Sequence, residues 1–249
     1  WTTARAAAEL ETPAAVGRRA GERTVARLGA RQLPTQKAPV LFSPLAAAGL
    51  LRSLTGAISG SSLYRRSSFL LDRLETPIFP DFVRIHEMPH LRRGLGSAPF
   101  DGDGVATQAK DLVSQGILRT YLLDAYSARR LGLRTTGNAG GVHNLHIEPG
   151  SLGSGPLDRA GMLQALDTGL LVTELLGHGT NPVTGDYSRG AAGFWVERGE
   201  IAFPVEEITI AGNLKDMFLG LLAVGNDCDF PGSTRTGSWL IREMTIAGD

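Results

Sequence analysis

Apolar residues fall at helical spacing in three places along the chain. After Thr12-Pro13, which reads as an N-cap with proline at the first helical position, Val16, Ala20, Val25 and Leu28 lie along one stripe that ends at Gly29. That predicts a helix of about four turns. Ser43 stands before Leu45, Ala48, Leu51 and Leu54, a second helix that stops near Gly56. The third has Asn213 as N-cap and Asp216 in its first turn, with Leu214, Met217, Phe218, Leu221 and Leu222 on one face up to Gly225. Short runs read as strands: Pro39 to Phe42, residues 77 to 86, and Ser238 to Ile246, with 118–124 extended or edge-like. Ser127 to Leu131 reads as a short helix stopped by Gly132, and 94–104 as a loop rich in glycine and aspartate. The stretch from Gly177 to Gly193 is dense in glycine and turn formers, and Phe194-Trp195-Val196 opens a strand behind it. In the next strand Ile201, Phe203 and Val205 alternate onto one face.

Helices and strands mixed without regular βαβ alternation predict an α+β fold, a largely antiparallel sheet with packed helices. Residues 1–38 read as a helical lead-in and 39–249 as the main domain.

Composition narrows the function. The 249 residues suffice for a substantial core, and 25 basic residues balance 25 acidic ones. No basic cluster is interleaved with aromatics, so a nucleic-acid partner is not expected. A single cysteine excludes an internal disulfide framework. No apolar run approaches the ~18 residues of a membrane span, so the expected location is the cytoplasm, with no membrane contact.

Several constellations invite chemistry. His86-Glu87-Met88-Pro89-His90 has the spacing of a zinc-peptidase helix, but Pro89 cannot sit inside that helix, so a strand-to-loop corner is expected. His143 and His146 lie three apart and His178 sits in the glycine loop; together with Glu148 or Asp186 they are a weak candidate metal set, because strand alternation sends 143 and 146 to opposite faces. Asp101-Gly102-Asp103-Gly104 begins like a calcium loop, yet Leu112 stands where the twelfth-position glutamate belongs, which leaves a tight turn. Gly94 and Gly96 start no dinucleotide fingerprint, and no serine lies in Gly-x-Ser-x-Gly.

Longer blocks carry a resemblance. Gly185 to Trp195, Phe203 to Leu214, Ser67 to Leu70, Phe100 to Val105, Leu123 to Gly132, Thr136 to Ala139 and Met244 to Asp249 resemble the TldD/PmbA family, and within it the PmbA (TldE) branch. The resemblance implies that an N-terminal domain precedes this region, so that the chain beginning at Trp1 is about the C-terminal half of a longer protein. The TldD branch carries His-Glu-x-x-x-His on a helix after a Leu-Leu pair. Here Leu50-Leu51 is followed by Arg52, Ser53 and Ala57 at the motif positions. Arginine stays protonated, alanine has no donor and serine is a poor base, so no catalytic residue and no metal are expected in this chain. Zinc is expected in the partner. Cys228 falls too early for the TldD branch's cysteine ligand and is expected to be a buried or partly buried structural thiol.

The resemblance therefore implies a non-catalytic subunit of a cytoplasmic metalloprotease complex, paired with a TldD-like subunit, with self-association also open. The complex would act on unfolded or extended peptides, including precursors of peptide antibiotics. Asn144, Phe194 and Trp195 are the candidates for the peptide surface, with Phe194 and Trp195 as core filling the competing reading. Two other functions stay open: an autonomous metallopeptidase built on His143, His146 and His178, and a regulatory binding protein of the DNA gyrase modulator kind.

Overall fold

The computed structural model describes residues 1–153, 155–228 and 232–248. Its first half contains α1 (Pro13–Val25), β1 (Gln36–Phe42), α2 (Pro44–Ala57), α3 (Gly60–Tyr64), β2 (Ile85–Glu87), β3 (Lys110–Ser114), β4 (Ile117–Leu118) and α4 (Ala125–Leu131). The second half contains β5 (Leu145–Ile147), β6 (Gly150–Ser151), α5 (Arg159–Leu166), β7 (Gly169–Leu176), β8 (Asp186–Glu197), β9 (Glu200–Asn213), α6 (Leu214–Leu219), β10 (Leu221–Val224), β11 (Thr234–Arg235) and β12 (Trp239–Ala247).

One sheet runs β1-β7-β8-β9-β12-β10-β6, and β1 also pairs with β12. Strands β1, β7, β8, β9 and β12 therefore close into a small barrel whose seam runs from Gln36 opposite Ile246 to Phe42 opposite Trp239. The other sheet runs β11-β5-β2-β3-β4. Among the strand pairs of the described residues only β1–β7 and β5–β11 are parallel, so the expected α+β class with a largely antiparallel sheet holds.

Period-two alternation divides β1 between two cores. Val40 and Phe42 join the main cluster with Leu50, Leu51 and Leu54 of α2, whereas Leu41 joins Met162 and Leu166 of α5 in a second cluster. Each fully buried leucine of α2 contributes roughly 1.5–3 kcal/mol relative to exposure. The main core also stacks Phe79 on Phe218, ring centroids 4.7 Å apart, with Trp239 edge-on to both.

Local expectations met different fates. Thr12 caps α1 by accepting from the Ala15 amide, but α1 buries no residue, and Val25 and Leu28 are exposed. Ser43 precedes α2 without a side-chain cap bond, while Pro44 fits the first turn. Gly132 ends α4 in the left-handed region. The strand expected over 77–86 is mostly loop: Pro77 and Pro80 lack N–H groups, Pro77 makes only an isolated bridge with Ile117, the chain turns from Pro80 to Val83, and a strand forms only at Ile85–Glu87 among the described residues. The late helix ends at Leu219, because Leu221 to Val224 pair with β12 and become a strand. In β9 the alternation breaks: Val205 and Ile208 are both buried, Glu207 has φ +54°, and Ile201 is exposed. Two residues of β9 stand against one of β8 there, a bulge that resets the face. Helix α5 and strand β7 have no counterpart in the sequence reading, and β8 begins at Asp186, eight residues before the expected Phe194.

Candidate functional site

Helix α2 presents Arg52, Ser53 and Ala57 in graded burial. Arg52 is exposed, Ser53 is half-buried and donates its hydroxyl back to Gly49 O at 3.3 Å, and Ala57 is buried. None of the three can hold a zinc ion as it stands: a guanidinium has no lone pair to give, a methyl has no donor, and the serine hydroxyl is engaged with its own helix.

The end of α2 is tied to the glycine loop between β7 and β8. Ser68 Oγ donates to Ala57 O at 2.6 Å, and the next amide, Phe69 N–H, donates to Pro182 O at 2.8 Å. Inside the loop Asn181 Oδ1 accepts from the Val183 and Thr184 amides. Hydrogen bonds from the Thr184 hydroxyl and then the Asn213 amide hold the Asp186 carboxyl below the usual carboxylate range. His178 is exposed in this loop.

Strand β7 runs beside α2. It pairs with β1 only at Leu170 to Val172, after which Ser43 N–H takes Val172 O at 2.9 Å. From Thr173 to Leu176 its side away from β8 carries no strand among the described residues. Leu175 and the Arg52 guanidinium come within 3.9 and 3.7 Å of the point a Cβ on Gly49 would occupy, so this free edge borders the α2 surface. Opposite Leu175 lies Ala191, and the same face of β8 carries Arg189 and Tyr187. Burial pushes the Tyr187 phenol up to about 12, opposed by the neighbouring Arg189, whose guanidinium donates to Gly177 O at 2.6 Å.

Phe194 and Trp195 have no such edge. Strand β8 lies between β7 and β9, with Phe194 opposite Leu171 and Pro204 and Trp195 opposite Leu170 and Phe203. Trp195 is 9% exposed within the main core and Phe194 packs on the α5 cluster. Asn144 is 4% exposed and sits at φ +45°. Its amide donates to Met88 O at 2.8 Å and Ser97 Oγ at 2.7 Å and accepts from Gly96 N–H at 2.9 Å, which pins the loop after β2.

The His86–His90 segment is a strand running into a loop. His86 pairs across strands with His146, the rings 5.1 Å apart and edge-on, and both imidazoles are held below their ordinary pKa mainly by burial. Glu87 is fully buried and accepts from Lys110 Nζ at 2.7 Å, Asn138 Nδ2 at 2.9 Å and His143 N–H at 2.5 Å; His143 Nδ1 lies 3.1 Å away. Lys110 and the Thr136 hydroxyl both reach Asn138 Oδ1, which closes the network. Sequence reasoning missed it; the signal was an acid at an inward strand position opposite Lys110. His143, His146 and His178 thus occupy three separate environments. Among the described residues no group of three His, Cys, Asp or Glu could hold a metal ion. Cys228 is exposed, not the buried thiol expected, because it lies in the loop beyond β10.

Residues 35–248 match the family model of the PmbA/TldA metallopeptidase C-terminal domain. The chain belongs to the PmbA/TldD family. It is 53% identical over 248 residues to the metalloprotease PmbA of Escherichia coli O157:H7, covering 100% of this chain and 54% of that protein. A PmbA homolog of Haemophilus influenzae is 47% identical over 249 residues, again covering 54% of its length. The chain thus spans about half the length of the curated PmbA relatives it matches. Among solved structures, a proposed modulator of DNA gyrase from Bacteroides thetaiotaomicron superimposes with a TM-score of 0.91 at 30% identity, covering 99% of this chain and 55% of that one. TldE from Thermococcus kodakarensis gives 0.80 at 25% identity, covering 94% and 55%. These matches put the chain in the PmbA/TldE branch of the family.

Proposed function

We propose that this chain is part of the non-catalytic subunit of a TldD/TldE-type metalloprotease complex of the cytoplasm, acting on unfolded or extended peptides. The observation that carries the reading is the donor set on α2: Arg52, Ser53 and Ala57 stand where the TldD branch has metal ligands and base, and their chemistry does not suit zinc. Amide hydrolysis by such a complex then draws on a metal held by the TldD-like partner, and no step passes through a metal in this chain.

What this chain supplies is enclosure and alignment. The unpaired side of β7 from Thr173 to Leu176 supports strand addition, in which backbone N–H and C=O groups recognise an extended peptide with little regard to its sequence. A folded protein keeps most of its strands paired, which favours unfolded substrates such as antibiotic-peptide precursors. Among the described residues no helix is long and apolar enough to cross a membrane, which agrees with that setting.

Reconstitution tests the reading. The full-length protein is expected to hold no stoichiometric zinc by elemental analysis and to leave a disordered peptide intact, but to be required for its cleavage by a TldD-like protein. Chelator-sensitive cleavage by this protein alone overturns the reading; so does full activity of the partner without it.

A further inference from the structure

A cavity of about 360 Å³ opens where three distant segments meet: residues 3–9 ahead of α1, the loop 91–95 after β2, and Gly232 to Arg235 around β11. Asn144 lies in its lining and fixes the loop from below through Met88, Gly96 and Ser97. The lead-in is tied across the top. Arg5 donates to Leu95 O at 3.2 Å and Ser97 O at 3.0 Å, and Arg93 pairs with Glu9 at 2.5 Å.

The lining is strongly cationic in a chain whose overall charge is zero. Among the described residues, Arg5, Arg92, Arg93 and Arg235 face a single acid in the lining, Glu9, which Arg93 already engages. The bonds of Arg5 go to neutral carbonyls and cancel none of its charge. The guanidinium groups of Arg92 and Arg235 have no hydrogen-bond or ion-pair partner among the described residues. Arg235 pairs across strands with His146, whose protonation is disfavoured first by burial and then by His86 and Arg235, as expected beside an uncompensated guanidinium. Arginines clustered in a concavity focus potential there, and their planar forks match carboxylate geometry. Leu91 and Leu95 add an apolar wall for the carbon atoms behind such a group.

We propose that this cavity receives a carboxylate of an extended peptide, either its C-terminal carboxylate or an aspartate or glutamate side chain. The proposal rests on the peptide-acting reading above and adds a preference to it: backbone pairing is indifferent to sequence, whereas this site selects for acid. Nucleic acid fits poorly, since none of the described lining residues carries an aromatic ring on which a base could stack.

Fluorescence anisotropy on the full-length protein decides the matter, using labelled Gly-Ser peptides of equal length. One ends in Asp-Glu with a free carboxylate, one in Asp-Glu amide and one in Asn-Gln amide. The free acid is expected to bind about ten-fold more tightly than the Asn-Gln amide, with the Asp-Glu amide showing which carboxylate contributes. The advantage should vanish in Arg92→Gln with Arg235→Gln and persist in Arg134→Gln, an exposed arginine outside the cavity, with circular dichroism confirming that each variant is folded. Equal binding of all three peptides by the wild type, or a preference over the Asn-Gln amide untouched in the double variant, overturns the cavity proposal and leaves the peptide reading standing. Displacement of the acidic peptide by an oligonucleotide of the same charge also overturns it. No binding of any of the three peptides sinks both.

Discussion

Glu87 shows how a buried charge is kept. Its carboxylate has no exposure and is held by an ammonium, a side-chain amide and a backbone N–H together. Glu87→Ala leaves Lys110, Asn138 and the His143 amide without their acceptor, and is expected to cost about 3–5 kcal/mol in denaturant melts. Lys110→Ala should cost less, because Asn138 and His143 still solvate the carboxylate and Lys110 is near enough to solvent for water to replace it. If the lysine change costs as much as the glutamate change, the ion pair and not the set of donors holds the site. The motif around Glu87 was legible as a failed metal helix through Pro89 alone. Its real role was hidden because the partners lie 23, 51 and 56 residues away, and only the strand pairing of β2 with β3 and β5 brings them in.

Elements with a local signal were read well, and those decided by tertiary pairing were not. The caps Thr12 and Asn213 act on nearby amides, so sequence alone marks the starts of α1 and α6, and Gly132 marks the end of α4. Leu221 and Leu222 fit the helical stripe of α6 equally well, but hydrogen bonds to β12 outweigh one further turn, and the chain becomes β10. Two substitutions separate these influences. Asn213→Ala removes the acceptor that meets Lys215 N–H, with an expected cost of about 1 kcal/mol. Leu221→Ala, in the main core with no exposure, should cost about 2–5 kcal/mol, both read from urea midpoints. Equal and negligible effects would mean that neither cap nor core position matters there. The part of β8 before Phe194 escaped for a different reason: Gly190 and Gly193 read as loop, although Gly193 is the point where β8 passes so close to β7 that a Cβ would stand 1.9 Å from Leu171 O. Trp195 lies in the main core and Phe194 is half-buried against the α5 cluster, and the free edge lies on β7.

At the scale of the whole molecule, the α+β class was legible from mixed periodicities, whereas closure of the barrel was not, since no local pattern announces which strand will meet β1. That strand is β12, whose residues lie about two hundred positions later, from Ile246 opposite Gln36 to Trp239 opposite Phe42. The barrel is therefore a ring whose clasp is made last. During synthesis β1 must wait, one flank bare, until about two hundred further residues have left the ribosome, and long-range closure of this kind makes folding slow. The clasp also guards three neighbours at once, for β12 covers β1, β9 and β10. A chain cut after Ser238 should leave all three edges open to other molecules and appear in the insoluble fraction, while a cut after Thr12, ahead of a helix that buries no residue, should leave solubility intact. Comparing the soluble yields of the two truncations measures how much of the protein's resistance to aggregation hangs on its last strand.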